Sequence, residues 1–310
     1  MKLHYFEDND GNFGDAINPW FWSRVLPGLL GENDGIRLLG IGTIINNKLP
    51  REYQYWVFGS GAGYGELPAD CQRWRVYCVR GPLTARQLKL DADLAVTDPA
   101  ALCARLYQVS PNGERFAASF IPHYMSDKQG DWKAICEAAN IHYISPTDPP
   151  LSVIDQIVRS DRVITEAMHG AILADAYRVP WQACSLYGIL NPKWDDWMLS
   201  MGLSNPPLLK LQQVWRGDRG RPIVERLKNR VKRSLIPFVP ETVQWTPPPN
   251  RQSSEEHCLQ QVEKLRNSVA GEFVLSPQSI LQQKLDRLEE LLNELRKDIQ
   301  NSRMLEACTR

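Results

Sequence analysis

The chain has 310 residues, enough for two domains of ordinary size. Lys plus Arg and Asp plus Glu balance at 36 each, so bulk charge argues against nucleic acid as a partner, and 43% hydrophobic residues describe a soluble globular protein. No apolar run approaches the roughly 20 residues that span a bilayer, and the opening MKLHYFEDND lacks the regions of a signal peptide, so a cytoplasmic location is expected.

Strand-like runs fall at 2–6, 36–45, 54–61, 75–81, 94–97, 115–124, 141–145, 162–166 and 181–186. Helical patterns lie between them at 15–26, 83–90, 99–106, 130–139, 151–159, 168–178 and 192–201. Short runs apolar on both faces, alternating with helices, predict parallel sheets covered by helices. The turn cluster SPNG at 110–113 places a boundary between an N-terminal α/β domain, 1–110, and a second, 111–235. The expected fold is α/β: two doubly wound, Rossmann-like domains facing a cleft, with ligands beyond the carboxyl ends of the strands.

Residues 216–233 carry eight basic and two acidic side chains, and Ile223, Val224, Leu227, Val231 and Leu235 fall mostly on one helical face. Such a helix suits either an anionic membrane surface, as a peripheral contact, or packing on the second domain. Proline-rich, polar sequence then predicts a linker over 236–278. Beyond it, Leu281, Leu285, Leu288, Leu292, Leu295 and Ile299 alternate by four and three. This seam favours a short coiled-coil helix over 279–305 and a homo-oligomer, with an amphipathic helix packed on its own chain as the alternative. The seven cysteines are odd in number and none forms a CxxC pair, which fits reduced thiols; no Cys or His cluster has the spacing of a metal site.

Six stretches carry candidate chemistry. DGNFGDAINPWFW (10–22) follows the first strand; Gly11 and Gly14 permit a tight loop and Asp15 can cap the next helix. FGSGAGYG (58–65) contains Ser60 and Gly61 in a glycine-rich turn open to an anion or a sugar. In CVRGPLTARQL (78–88), Arg80 ends a strand before a proline-started helix and is expected to project into the cleft. FIPHYMSD (120–127) sets His123 at a strand end. RVITEAMHG (162–170) does the same for Glu166, His169 and Gly170, so two histidines converge on one carboxyl edge, suited to proton transfer. In KWDDW (193–197), Trp194 and Asp195 offer an aromatic face and a carboxylate to a sugar, although tryptophan pairs also pack cores.

With these residues in hand the sequence resembles the polysaccharide pyruvyl transferase family, in particular the ketolase-type enzymes of exopolysaccharides such as succinoglycan. The stretches that carry the likeness are NFGDAINPWFW, LGIGTII, VFGSG, VRGPLTARQL, TDPAAL, IPHYMSD, EAMHGAILADAYRVPW and KWDDW, in order from residue 12 to about 203. The resemblance implies a fold like that of two-domain (GT-B-like) glycosyltransferases. It also implies phosphoenolpyruvate as donor, no cofactor, and a hexose of a lipid-linked oligosaccharide or polysaccharide as acceptor. The implied product is a cyclic pyruvate ketal, with phosphate released.

On this likeness His169 is the expected general acid or base, and Asp15 orients or deprotonates the acceptor hydroxyl. Arg80, His123, Glu166 and Gly170 are expected on the donor, with Arg162 and Arg178 as further cations. Asn12, Gly14, Ser60, Gly61, Trp194 and Asp195 are expected on the acceptor. Ala167 and Met168 stand where many family members carry Arg-Leu, which removes an expected anion anchor. Two other functions remain open on the residues alone: a glycosyltransferase using a nucleotide sugar, and a non-catalytic glycan-binding scaffold working through its C-terminal seam.

Overall fold

Strands and helices alternate along the chain as the periodicity predicts. The structure, a computed structural model, describes residues 1–7, 11–31, 35–63, 65–69, 71–110, 112–188, 190–235 and 249–308, with side chains to 304. The first half contains β1 (Lys2–His4), α1 (Phe13–Val25), β2 (Ile36–Leu39), β3 (Gln54–Phe58), β4 (Arg75–Cys78) and α2 (Pro82–Leu88). A 3₁₀ turn, Pro99–Leu102, then runs into α3 (Cys103–Leu106). The second half contains β5 (Ser119–Ile121), α4 (Tyr124–Gln129), α5 (Trp132–Ala139), β6 (His142–Tyr143), α6 (Pro150–Val158), β7 (Val163–Thr165), α7 (Met168–Ala176), β8 (Trp181–Ser185), α8 (Pro192–Ser200) and β9 (Leu208–Lys210). Three helices follow: α9 (Ile223–Leu235), α10 (Glu255–Ser268) and α11 (Gln278–Cys308). The stretch 94–97 contributes an isolated parallel bridge, Val79 to Ala95, rather than a strand.

Both sheets are parallel throughout, as expected of strands such as β5, β7 and β8 whose residues are all buried. Their windings differ. The second has the order β6-β5-β7-β8-β9, so the chain leaves β5 in opposite directions and opens a crevice between the carboxyl ends of β5 and β7. The first has the order β1-β2-β3-β4, with no reversal. The expectation of a doubly wound sheet in each half therefore holds for the second alone.

One hydrophobic core crosses both halves. It runs from Phe21, Trp22 and Phe58 through Leu102 to Ile121, Ile172 and Trp181. α7 is the reason: its residues are buried on every side except at His169, as a helix apolar all round must be. It packs against β7 and β8 on one side and the Pro99–Leu102 turn on the other.

The C-terminal expectations are corrected. The seam residues from Leu281 to Ile299 are all 5% exposed or less, because α11 lies on its own chain's core rather than on a second copy. Polar contacts fix the same docking: Arg105 pairs with Asp286 (2.6 Å) and Glu289 (2.7 Å), and the Tyr77 hydroxyl donates to Asp298 (2.7 Å). The heptad pattern is thus the stripe of an amphipathic helix, not a coiled coil. Part of the supposed linker is also built in. α10 buries Val262 and Leu265 against Ile135, Cys136 and Ala139 of α5, and Val274 pairs antiparallel with Trp181. Residues 236–248 of that linker lie outside the described residues.

Candidate active site

A cavity of about 450 Å³ opens between the halves. Its lining comes from the segments that follow β1 and β2 in the first half and β5, β7 and β8 in the second, so the carboxyl edges of both sheets face it. Its polar lining includes Asn12, Asp15, Thr43, Asn46, Lys48, His123, His169 and Lys193. An adjoining hollow of about 290 Å³ shares His123 and Lys193 and adds Ser126, Glu166 and Trp194.

His169 reaches the cavity because the turn from β7 to α7 is tight. Thr165 Oγ1 donates to the Ala167 carbonyl (2.8 Å) and accepts from its N–H (3.0 Å). Gly170 then lets the helix close onto the strand ends. A Cβ there would lie 2.5 Å from Thr165 Oγ1 and 3.1 Å from Ile121 Cδ1. Gly170 is therefore a packing residue that sets where His169 points, rather than a lining residue. The N-cap residue of α7, Ala167, supplies no side-chain cap, and the first turn of the helix faces the cavity.

Two residues of the first half hold the imidazole. Nε2 lies 3.7 Å from Oδ2 of the fully buried Asp98, and neither atom has a hydrogen-bond partner. The other oxygen, Oδ1, accepts from Ala100 N–H (3.0 Å) and caps the 3₁₀ turn, which fixes the carboxylate behind the ring. On the opposite side α1 presses close: a Cβ on Gly14 would lie 2.1 Å from His169 Nδ1. A histidine backed by a buried carboxylate and open to a cavity is placed to carry a proton. Asp98 was missed in the sequence, although the Asp-Pro pair after the apolar run LAVT marked a strand end.

α1 carries the facing wall. Asn12 caps it, accepting from Gly14 N–H (3.3 Å) and donating Nδ2 to Asp15 Oδ2 (2.6 Å). The buried Asn18 ties the helix to the end of β2, accepting from Ile41 N–H and donating to its carbonyl, both at 3.0 Å. Phe13 N–H donates to Pro146 O (3.0 Å) in the second half. Asp15 is thereby set on the rim opposite His169.

Under the cavity, His123 caps α4 and its Nδ1 accepts from Met125 N–H (3.3 Å). Burial, reinforced by the charge on Lys193, lowers its pKa to about 4. The ring is then neutral near pH 7, and with Nδ1 accepting, Nε2 carries the hydrogen and is a donor. Glu166 accepts from His123 N–H (2.9 Å) and from Ser126 Oγ (3.1 Å). Burial pushes its pKa up to about 7, against these hydrogen bonds and Lys193, which favour the charged form. Lys193, in the first turn of α8, is the cation that both hollows share. Nothing local in KWDDW marks Lys193 as a site residue, since only the packing of α8 brings it to the cavity. Among the described residues no three His, Cys, Asp or Glu side chains gather as a metal site.

The family model for polysaccharide pyruvyl transferase matches residues 34–185. The chain is also 41% identical, over 211 residues and 67% of each chain, to the succinoglycan biosynthesis protein ExoV of Rhizobium meliloti (strain 1021). The chain belongs to the polysaccharide pyruvyl transferase family. It is accordingly a transferase enzyme. No solved structure matches it. The family match takes in Asp98, His123, Glu166 and His169, whereas Asn12, Asp15 and Lys193 lie outside it.

Several residues expected in the site of this pyruvyl transferase serve its architecture instead. Arg80 is fully buried and does not project into the cleft. It donates to Asp196 Oδ2 (3.2 Å), Thr43 Oγ1 (2.6 Å) and the Ala62 carbonyl (3.2 Å). Asp196, reaching across from α8, caps α2 by accepting from the N–H groups of Leu83 (2.9 Å) and Thr84 (3.0 Å). Gly61 makes room for the guanidinium, since a Cβ there would lie 2.2 Å from its Cζ. Ser60 is buried with its hydroxyl on the Gly40 carbonyl. Trp194 is buried against Trp181 and Trp197, at centroid distances of 6.2 and 6.3 Å, although it also borders the smaller hollow. Asp195 is exposed and lines neither hollow. Arg162 donates to Val269 O (2.7 Å) and Arg178 to Ser276 O (2.9 Å), both outside the cavity.

Proposed function

We propose that this transferase moves the pyruvyl group of phosphoenolpyruvate onto a hexose of an exopolysaccharide repeat, where it bridges two hydroxyls as a cyclic ketal. The observation that carries the reading is the Asp98–His169 pair at a cavity walled by the carboxyl edges of two parallel sheets, in a chain of this family. The naming of its relative as a succinoglycan biosynthesis protein supports an exopolysaccharide acceptor, lipid-linked or polymeric. Two α/β halves facing one cavity also support the glycosyltransferase-like (GT-B-like) arrangement.

His169, backed by Asp98 and acting as the general acid, protonates the methylene carbon of the donor, which makes the neighbouring carbon electrophilic. A sugar hydroxyl, oriented by Asp15, attacks that carbon and returns a proton to His169. The carbon–oxygen bond to phosphate then breaks, and a second hydroxyl closes the ring as its proton leaves with the phosphate. One hydroxyl proton thus ends on carbon and the other on phosphate. The donor's anionic groups meet Lys193, the Nε2–H of neutral His123 and the uncapped first turn of α7. On this reading Lys193 of α8 takes the place of the anion anchor lost at Ala167 and Met168.

The test is incubation of purified protein with phosphoenolpyruvate and a panel of lipid-linked oligosaccharides. Phosphate release with a matching mass gain on the acceptor is the expected result. Binding of a nucleotide sugar with no phosphate release would favour a glycosyltransferase instead.

A further inference from the structure

α9 turns its apolar face outward. Ile223, Val224, Leu227, Val231 and Leu235 share one side of the helix and are 48–77% exposed, whereas the opposite side buries Asn229. Asp218 ties that inner side down, accepting from Asn229 Nδ2 (2.7 Å) and pairing with Arg233. An amphipathic helix packed for stability does the reverse and buries its apolar stripe. The flanks of the stripe are basic: by helical spacing Lys228 and Lys232 lie along one margin, and Arg226 and Arg230 along the other. The acidic residue of α9, Glu225, is paired with Arg221. Beside the helix lies a hollow of about 680 Å³ with Arg219, Arg226, Arg230, Arg233 and Arg251 against Asp218.

We infer that α9 is a docking surface for an anionic lipid bilayer, lying in the plane of the membrane. The stripe enters the acyl boundary while the flanking bases and the arginine-lined hollow meet phosphate headgroups. Charge complementarity selects this occupant. Nucleic acid has no use for the apolar stripe, and a second copy packed stripe to stripe would bring two sets of basic margins together. Among the described residues no helix is long and apolar enough to cross a membrane, so the contact is peripheral. Its position suits membrane-bound acceptors. α4 follows its cap, His123, in the cavity and spans six residues, about 9 Å of helix, and the carbonyl of its last residue, Gln129, accepts from Arg216 N–H (2.8 Å) before α9. The inference does not depend on the reaction proposed above.

The experiment is co-sedimentation of the full chain with vesicles of phosphatidylcholine alone and of phosphatidylcholine and phosphatidylglycerol in equal parts. Binding is expected to the second and to weaken with salt. Replacing Arg226, Lys228, Arg230 and Lys232 by Gln should cut it roughly fivefold per charge, the equivalent of about 1 kcal/mol each. Val224→Ser with Leu227→Ser should abolish it with the thermal midpoint unchanged. Lack of binding to either vesicle would overturn the inference. So would equal binding by the parent and the Ser variant, or a parent dimer in solution that the Ser variant dissolves.

Discussion

The ends of β4 and β7 are assembled from similar parts, yet one is closed and the other open. Each is a strand with a buried carboxyl end, leading through a charged residue, Arg80 or Glu166, and a nearby glycine into a helix. At β4 the second half delivers Asp196, which caps α2 and pairs with Arg80, so every polar group is spent on the protein. At β7 the first half delivers Gly14 and Asp98, which hold His169 without filling the space before it, and α7 stays uncapped. The winding of the sheets agrees: order reverses beside β7 and nowhere in the first sheet. A charged strand-end residue is therefore a ligand contact only where the opposite half leaves room for the ligand.

The comparison breaks most sharply on a crossed pair of substitutions. Arg80→Ala strands a buried Asp196 carboxylate and should cost about 3–5 kcal/mol of stability, read as a lower denaturant midpoint. His169→Ala should leave the midpoint in place and lower phosphate release by about 10²–10⁴-fold. Matching stability losses in the two variants would put both strand ends in the same class.

Gly14→Ala sharpens the open side. Its Cβ would meet His169 Nδ1 at 2.1 Å and push the ring from its place, and a misplacement of about 1 Å costs about 10²-fold in turnover. An unchanged turnover number would show that the ring's position does not matter. Lys193→Ala should raise the KM for phosphoenolpyruvate about tenfold, in line with about 1.5–3 kcal/mol for a hydrogen bond to a charged group. The same change at Arg162 or Arg178 should not; a shift there would restore the cations expected from the sequence.

The smallest effect is on pH dependence. The Glu166 carboxyl titrates at about 7 in the fold against 4.5 for the free group. Between those values the folded chain holds a proton that the unfolded chain has released. Its contribution to stability is thus present below about pH 4.5 and lost as pH rises through about 7. His123, lowered from 6.5 to about 4, works in the other direction: its contribution is present above pH 6.5 and lost as pH falls through about 4. Glu166→Gln should therefore gain stability relative to the parent as pH rises from 4.5 to 7 and stay level above it, measured by urea midpoints across the range. A constant difference between the two proteins would remove the buried-acid assignment.

Much of the architecture was legible in the chain. Strand runs apolar on both faces announced parallel sheets, and the turn after β7 set His169 at a carboxyl edge, because pleat and helix periodicity are local properties. Short segments were harder. β9 and α4 span three and six residues, too few for a period to show. The heptad seam of α11 was visible, but its partner was not. A stripe of leucines fits its own core as well as a second copy, and the matter was decided by contacts such as Arg105 to Asp286, 181 residues apart.

What the sequence determined by itself is the set of local elements, the family stretches they carry and the histidine at the ligand edge. Only the tertiary structure decided which charges face the cavity. Arg80 and Asp196 stand 116 residues apart, and Asp98 meets His169 from the other half of the chain. The reason is physical: a buried charge takes whatever partner the packing brings within reach, and packing joins segments whose separation leaves no periodic trace.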